Sequence, residues 1–200
     1  MKDEGTEINR KEKRLKILAT DEIESIYDRP KFNSEDQIEY FTLSQSDLEL
    51  LEVFGSIKSQ VYFILQLGYF RAKHLFFIFT LDEVENDFQH VIERHFNAQQ
   101  IGGIKVIDKQ TRLKQQRLIL ELHRYRLCGK EERQELEYKA QQSAKVYSKP
   151  IYVFRELINY LTDQKIVIPG YSLMQDIISQ ALTAEHNRLT KIVRDSEALP

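Results

Sequence analysis

Cysteine occurs once in this 200-residue chain, as Cys128, so no disulfide can form within it and a reducing compartment suits it. Glycine and proline are scarce, at 7 and 4 residues, and turn dipeptides between alternating apolar runs are hard to find. Strand-rich folds need that punctuation, so the chain is expected to be mostly helical. No run approaches the ~18 apolar residues of a membrane-spanning helix. The opening Met1-Lys-Asp-Glu-Gly-Thr-Glu7 leads into no apolar signal core. Charge of neither sign is in large excess: the net of -2 excludes a uniformly basic nucleic-acid binder. What is present, 42% hydrophobic and 30% charged residues, is a globular composition. Its length gives one domain or two small ones with real cores.

The charge is unevenly placed. Residues 1–55 hold 8 Lys and Arg against 14 Asp and Glu, whereas residues 101–150 hold 12 against 6. Local asymmetry of this kind matters more to DNA than the total.

Along the chain, Met1–Lys16 reads as a polar, solvated tail, with a basic arm as the alternative. Thr20 opens a short helix to Tyr27, and Asn33 caps a second with Glu35 and Asp36 in its first turn. Ser44 or Ser46 starts a third, through Leu48, Leu51 and Val53. Ser56 introduces the most apolar helix, Ile57 to Phe70, whose apolar residues on nearly every face put it in the middle of its lobe. Arg71 and Lys73 end it. The aromatic run His74–Phe79 fits an extended or a helical state. Thr80 and Glu83 form a capping box for a helix through Val84, Phe88, Val91, Ile92 and Phe96. Asp82, Glu83, Glu85 and Asp87 compensate that helix's dipole.

Asn97–Val106, with Gly102-Gly103, is the expected internal boundary. A helix over Asp108–Leu127 follows, burying Leu118, Ile119, Leu122 and Tyr125 and stopped by Gly129. Lys114, Arg117, Glu121 and Arg124 form a mainly basic ridge on it, flanked by Arg112 and Arg126. Lys130–Val146 is a polar helix mixing Lys130, Arg133, Lys139 and Lys145 with four glutamates.

Ser148–Val193 reads as helix, stiff turn, helix. Ser148 is the expected cap and Pro150 fits the first turn. Ile151, Phe154, Leu157, Ile158 and Leu161 give one apolar stripe. Pro169 disfavours a helical Ile168, Gly170 is able to supply a positive φ, and Ser172 with Gln175 matches a capping box. Leu173, Ile177, Ala181, Leu189 and Val193 continue the stripe. Gln175, Ser179, Gln180, Thr183, Asn187 and Arg188 fall largely outside it. A DNA-reading helix-turn-helix looks like this, and so does a helical hairpin in a bundle. The turn exceeds the usual three or four residues.

Catalytic and metal constellations are not legible. His74, His90, His95, His123 and His186 form no helical i, i+4 pair, Cys128 has no evident activating base, and Gly102-Gly103 lacks the phosphate-loop continuation.

Five phrases occur in order: Leu18-Ala-Thr-Asp-Glu-Ile23, Tyr40-Phe-Thr-Leu-Ser44, Leu65-Gln-Leu-Gly-Tyr-Phe-Arg71, Thr111-Arg-Leu-Lys-Gln-Gln-Arg-Leu-Ile-Leu-Glu-Leu122 and Ile168-Pro-Gly-Tyr-Ser-Leu173. On these the chain, from about Arg14 to Val193, resembles the N-terminal region of transposases of the Tn-three family, the replicative class II transposons. One departure is Arg124 before Tyr125, where glycine is expected in many members. The resemblance implies tandem helical DNA-binding domains that grip the transposon's terminal inverted repeats. It places strand cleavage in a distant C-terminal domain using an Asp-Asp-Glu triad and magnesium, so this chain is expected to be catalytically silent and without a cofactor of its own.

The resulting expectation is an all-α protein of two small helical lobes. A polar tail spans 1–16, a lobe with an acidic N-terminal part spans 17–100, and a DNA-binding lobe spans 107–200 with the helix-turn-helix-like unit at 148–193. Phosphates would be neutralised by Arg112, Lys114, Arg117, Arg124, Arg126, Lys130, Lys145 and Lys149. Tyr171, Ser172, Gln175, Ser179, Gln180 and Thr183 would meet base edges. Lys58, Arg71 and Lys73 are further candidates for backbone contact. Expected partners are double-stranded DNA at the terminal repeats, the remainder of the transposase and a second copy of the full-length protein, in the bacterial cytoplasm at the nucleoid and with no membrane. The competing expectation is a protein–protein assembly module of the transposase.

Overall fold

The computed structural model describes residues 15–98 and 107–197 of the chain. Among these the protein is all-α, with no strand: α1 (Thr20–Tyr27), α2 (Ser34–Phe41), α3 (Gln45–Leu51), α4 (Ile57–Lys73), α5 (Glu85–His95), α6 (Lys109–His123), α7 (Lys130–Val146), α8 (Pro150–Asp163) and α9 (Tyr171–Glu197). The starts follow local chemistry. Asn33 with Asp36, and Ser44 with Asp47, close reciprocal capping boxes on α2 and α3, and Asp108 accepts from the Thr111 amide at 2.9 Å to cap α6. The Thr80–Glu83 box forms too, but it caps a single 3-10 turn, Asp82–Val84, that leads into α5. Of the break expected at Asn97–Val106, only Asn97 and Ala98 are described; Gly102-Gly103 lies outside the described residues, as does the tail up to residue 14.

The chain forms two compact units, residues 28–126 and residues 1–27 with 127–200. This division differs from the expected lobes of 17–100 and 107–200. The helix α6 groups with the residues before the glycine pair, because it packs on α4. Residues 17–27 group with the C-terminal helices, because Ile17 and Leu18 enter their core.

In the 28–126 unit, α4 is buried continuously from Val61 to Phe70 and packs against α2, α5 and α6. Gly68 is required there: a Cβ would overlap the Phe41 ring and sit 3.2 Å from the Tyr40 carbonyl oxygen. One turn on, Arg71 donates to the Thr42 carbonyl at 2.8 Å and to the buried Asp47 carboxylate at 2.6 Å. Arg71 is thus engaged within the fold, which leaves it less free than an exposed cation to reach a phosphate. Burial pushes the Asp47 carboxyl up, but hydrogen bonds from Ser44 and the Arg71 charge outweigh it and hold it below the usual range. Asp87 corrects a second reading. It is no surface dipole partner but a buried acceptor, taking hydrogen bonds from Gln37 Nε2 at 2.9 Å and Tyr69 Oη at 2.7 Å.

The run His74–Phe79 is not helical; Phe76 stacks on Phe70 and Phe79 stacks on Tyr62, so it runs back along α4. On α6 the inward residues are Gln115, Ile119 and Leu120, with Leu118, Leu122 and Tyr125 only half-buried. Gln115 bridges the Gln66 side chain and the Ser59 carbonyl. The helix stops at His123, before Gly129, which instead begins α7.

In the other unit α9 packs chiefly against α7 and also on α8. Leu136, Ala140 and Ala144 of α7 meet Met174, Ile177, Ile178 and Ala181 of α9, and Phe154, Leu157 and Leu161 of α8 complete the core. Alanines on both α7 and α9 let their backbones approach closely.

Burial holds His74, His90 and His95 below the usual histidine range; Arg94 adds to this at His90 and His95, partly opposed at His95 by its hydrogen bond to the Phe41 carbonyl. A depressed folded-state value makes these rings stabilising when neutral. The 28–126 unit is therefore expected to keep full stability above the unfolded value of about 6.5 and to lose it as pH falls below that. Urea unfolding at pH 7.5 and 5.5 checks this, and equal midpoints would contradict it.

Candidate nucleic-acid interface

The α8–α9 corner is built by backbone geometry. The Ile166 amide donates to the Leu161 carbonyl at 2.8 Å and the Lys165 amide to the Thr162 carbonyl at 3.1 Å, a Schellman closure with Lys165 left-handed at φ 52°. Leu161 and Ile166, at the two ends of that closure, are both fully buried. Residues 164–170 separate the two helices, longer than the turn of a standard helix-turn-helix. Three local expectations fail here. Gly170 does not take a left-handed φ; its carbonyl accepts from the Leu173 and Met174 amides, so the helix begins at Tyr171. Ser172 therefore lies inside the first turn and forms no capping box with Gln175. At the start of α8, Lys149 takes the cap position and Ser148 does not cap.

The six residues expected to meet bases are split by what they touch. Tyr171 faces its own unit: its hydroxyl oxygen accepts from the backbone amides of Ile17 at 3.3 Å and Leu18 at 3.1 Å. Its ring packs against Tyr27 and Phe154. Gln175 Nε2 donates to the Leu15 carbonyl at 2.9 Å. These two hold the N-terminal segment and are removed from the readout set. Ser172, Gln180 and Thr183 are exposed and Ser179 is half-buried, so these four remain outward. Asp176 shares their face, and no Lys or Arg occurs from Tyr171 to Asn187.

The expected phosphate contacts fall in both units. In 28–126, Lys114 and Arg117 share the outward face of α6. The Arg117–Glu121 pair is 3.8 Å apart and mostly exposed, worth ~0.3–0.5 kcal/mol at most. Lys114 Nζ lies 5.7 Å from the Phe54 ring centroid. Arg112 departs from this set: it falls on the packed side of α6 with Gln115 and Ile119 and is half-buried. Arg124 and Arg126 are exposed. Arg124 explains the departure from glycine. It is the left-handed residue of a second Schellman closure, φ 57°, with the Tyr125 amide on the Leu120 carbonyl at 2.9 Å. Glycine takes that conformation without strain, and arginine adds charge at the cost of ~1 kcal/mol.

In the other unit Lys130, Lys145 and Lys149 are all exposed. Lys145 Nζ donates to Gln142 at 3.3 Å and Lys149 Nζ sits 6.0 Å from the Tyr152 ring centroid. Three residues between the first two lie outside the expected set. Gln134, Tyr138 and Gln141 are exposed on the same side of α7. Their spacing of four and three was visible, but the four glutamates of that helix obscured it.

Among the described residues no group of three or more His, Cys, Asp and Glu side chains is placed to hold a metal ion, and no helix is long and apolar enough to cross a membrane. Burial and Glu132 push the Cys128 thiol up, away from a reactive thiolate. An open groove of about 330 Å³ beside α1 and α8 has an apolar floor of Leu18, Ile26, Ile151 and Phe154 and no nucleophile–base pair.

These features define an all-α module with exposed basic faces. Residues 17–181 match the family described as "Domain of unknown function (DUF4158)", and the chain belongs to that family. The match begins and ends at core residues, Ile17 and Ala181, the first and last buried hydrophobic residues described. Against the curated proteins the chain finds no match.

Replacing Tyr171 by Phe removes the acceptor for two amides while keeping the ring. It should destabilise the C-terminal unit by ~1–2 kcal/mol in urea unfolding; an unchanged midpoint would mean the N-terminal segment is not held by that hydroxyl.

Proposed function

We propose that this chain is a duplex-DNA-binding module of a transposase of the Tn-three type, recognising the terminal inverted repeats of its transposon. The observation that carries the reading is the basic ridge that the fold leaves in solvent: Lys114 and Arg117 on the outward face of α6, with Arg124 at its end. The five phrases shared with that transposase family supply the biological class. Backbone contacts come from this ridge and Arg126 in one unit, and from Lys130, Lys145 and Lys149 in the other, with Arg112 contributing least. Each neutralised phosphate adds to the salt dependence of binding. Base readout belongs to the C-terminal unit; of the set expected on α9, Ser172, Ser179, Gln180 and Thr183 are the members that face outward. The module acts in the cytoplasm, where the DNA lies. The chain itself performs no chemistry, and magnesium belongs with the catalytic domain that the resemblance places elsewhere in the polypeptide.

A second reading has its own observation. Beyond Ala181, α9 continues with Leu189, Ile192 and Val193, each about half exposed, on one side of the helix. Such a stripe suits a protein contact within an assembled transposase, with the remainder of that protein or a second copy of it, and the acidic residues 1–55 fit the same reading better than a DNA surface.

A fluorescence titration of the chain against the element's terminal repeat, over a range of salt, tests the first reading. Affinity should fall steeply with salt and exceed that for scrambled duplex, and Arg117→Ala should reduce the slope of log affinity against log salt by about one. Arg124→Gly should do the same without loss of fold, since glycine relieves the left-handed strain. Affinity indifferent to salt, or equal for scrambled DNA, favours the assembly reading.

A further inference from the structure

The reading helix of the C-terminal unit need not be the one after the corner. On α7, Lys130, Gln134, Tyr138, Gln141 and Lys145 recur at spacings of four, four, three and four, so they lie along one side of the helix, away from the buried Leu136, Ala140 and Ala144. All five are exposed, and Tyr138 is 65% exposed in mid-helix. Among the described residues neither amide and not the Tyr138 hydroxyl is engaged in a hydrogen bond. Three of the four glutamates of the same helix have other work; the fourth, Glu137, is half-buried at the edge of the stripe beside Gln141. Glu132 accepts from the Gly129 amide at 3.0 Å, Glu135 accepts from the Tyr160 hydroxyl at 3.0 Å, and Glu131 sits in the first turn where the helix dipole favours it. Folding thus leaves an amide–aromatic–amide stripe with a lysine at each end.

We infer that α7, rather than α9, enters the major groove of duplex DNA, with Gln134 and Gln141 reading adenines and Tyr138 lying against a thymine methyl between them. The inference rests on the DNA-binding reading above and names the element that performs it. The dimensions fit. At 1.5 Å per residue Gln134 and Gln141 are roughly 10 Å apart along the helix, about three base pairs at 3.4 Å each. Lys130 and Lys145 are roughly 22 Å apart, one beyond each end of the reading stripe, where each meets a backbone phosphate flanking the contacted pairs. The chemistry fits as well: a glutamine amide pairs with N6 and N7 of adenine in a way no other base offers, and an apolar ring recognises the thymine methyl. The stripe therefore selects A·T pairs. By contrast, the outward face of α9 carries the exposed amide Gln180 among short hydroxyls and the acid Asp176, and no Lys or Arg before Arg188, which is itself paired with Glu185 at 2.7 Å.

Selection of a random duplex pool by the full chain, followed by sequencing, tests this. The selected site should contain A·T pairs about three positions apart. Gln134→Ala and Gln141→Ala should each relax one of them, by about 5- to 150-fold against the best site, while Gln180→Ala leaves the site unchanged. Lys130→Ala should weaken all sequences alike. All these positions are exposed, and circular dichroism verifies that each variant folds. If Gln180→Ala relaxes the site and the two α7 variants do not, α9 is the reader and the inference is overturned. If the Gln134→Ala/Gln141→Ala double variant selects the same site as the parent, α7 faces something other than bases. If the parent retains no duplex at all, the DNA-binding reading itself fails.

Discussion

The C-terminal unit depends on a clasp between the segment that precedes α1 and the first turn of α9. The Tyr171 hydroxyl receives the amides of Ile17 and Leu18, and the Gln175 amide reaches the Leu15 carbonyl, across more than 150 residues of sequence. These bonds seat Ile17 and Leu18 in the core formed by α7, α8 and α9. Residues 28–126 are thereby inserted between two parts of one unit. Closing so long a loop costs entropy, but only logarithmically in length, and two buried aliphatic side chains offset several kcal/mol of it. The clasp grips the first turn of α9, so it also fixes how α8 and α9 meet.

The five phrases that carry the family resemblance gain a physical meaning from the fold. Leu18-Ala-Thr and Pro169-Gly-Tyr-Ser are the two sides of the clasp. Tyr40-Phe-Thr and Leu-Gly-Tyr-Phe-Arg71 meet where Gly68 admits the Phe41 ring and Arg71 binds the carbonyls of Tyr40 and Thr42. The same central phrase and Thr111–Leu122 are joined by Gln66 and Gln115. The phrases are fold-holding pairs, so they identify the architecture and do not by themselves mark a DNA surface.

Helices and most of their caps were legible because they depend on neighbours three and four residues away. Asn33 caps where the sequence places it, Ser44 is the one of the two expected starts that caps, and Ser56 and Asp108 cap the helices they open. What escaped is non-local or depends on backbone conformation. Arg124 and Lys165 end their helices in left-handed conformations that glycine usually supplies, whereas the glycines nearest in sequence, Gly129 and Gly170, do not adopt them. The glycine pair at 102–103 marks a connection in sequence, not the division between units, which is set by what α6 packs on. Asp87 resembled three other acids around it until burial singled it out. At the candidate interface, spacing identified the basic ridge of α6, but no spacing rule says that Tyr171 and Gln175 would turn inward.

The charges are sorted by the fold in a way that composition hides. In α7 two of the four glutamates are held in hydrogen bonds within the chain and a third lies in the first turn, and lysine and amide side chains are left in solvent. In α9 the reverse holds, and its long polar face is uncharged or acidic until Arg188. A near-neutral chain can therefore present a basic, amide-bearing surface to DNA, and that is the account's central claim. Backbone amide shifts of the full chain, followed by nuclear magnetic resonance as duplex DNA is added, test it most directly. The account predicts shifts along Lys130–Lys145 and Lys114–Arg124 that reverse with added salt; shifts confined to Leu189–Val193, or none at all, would contradict it.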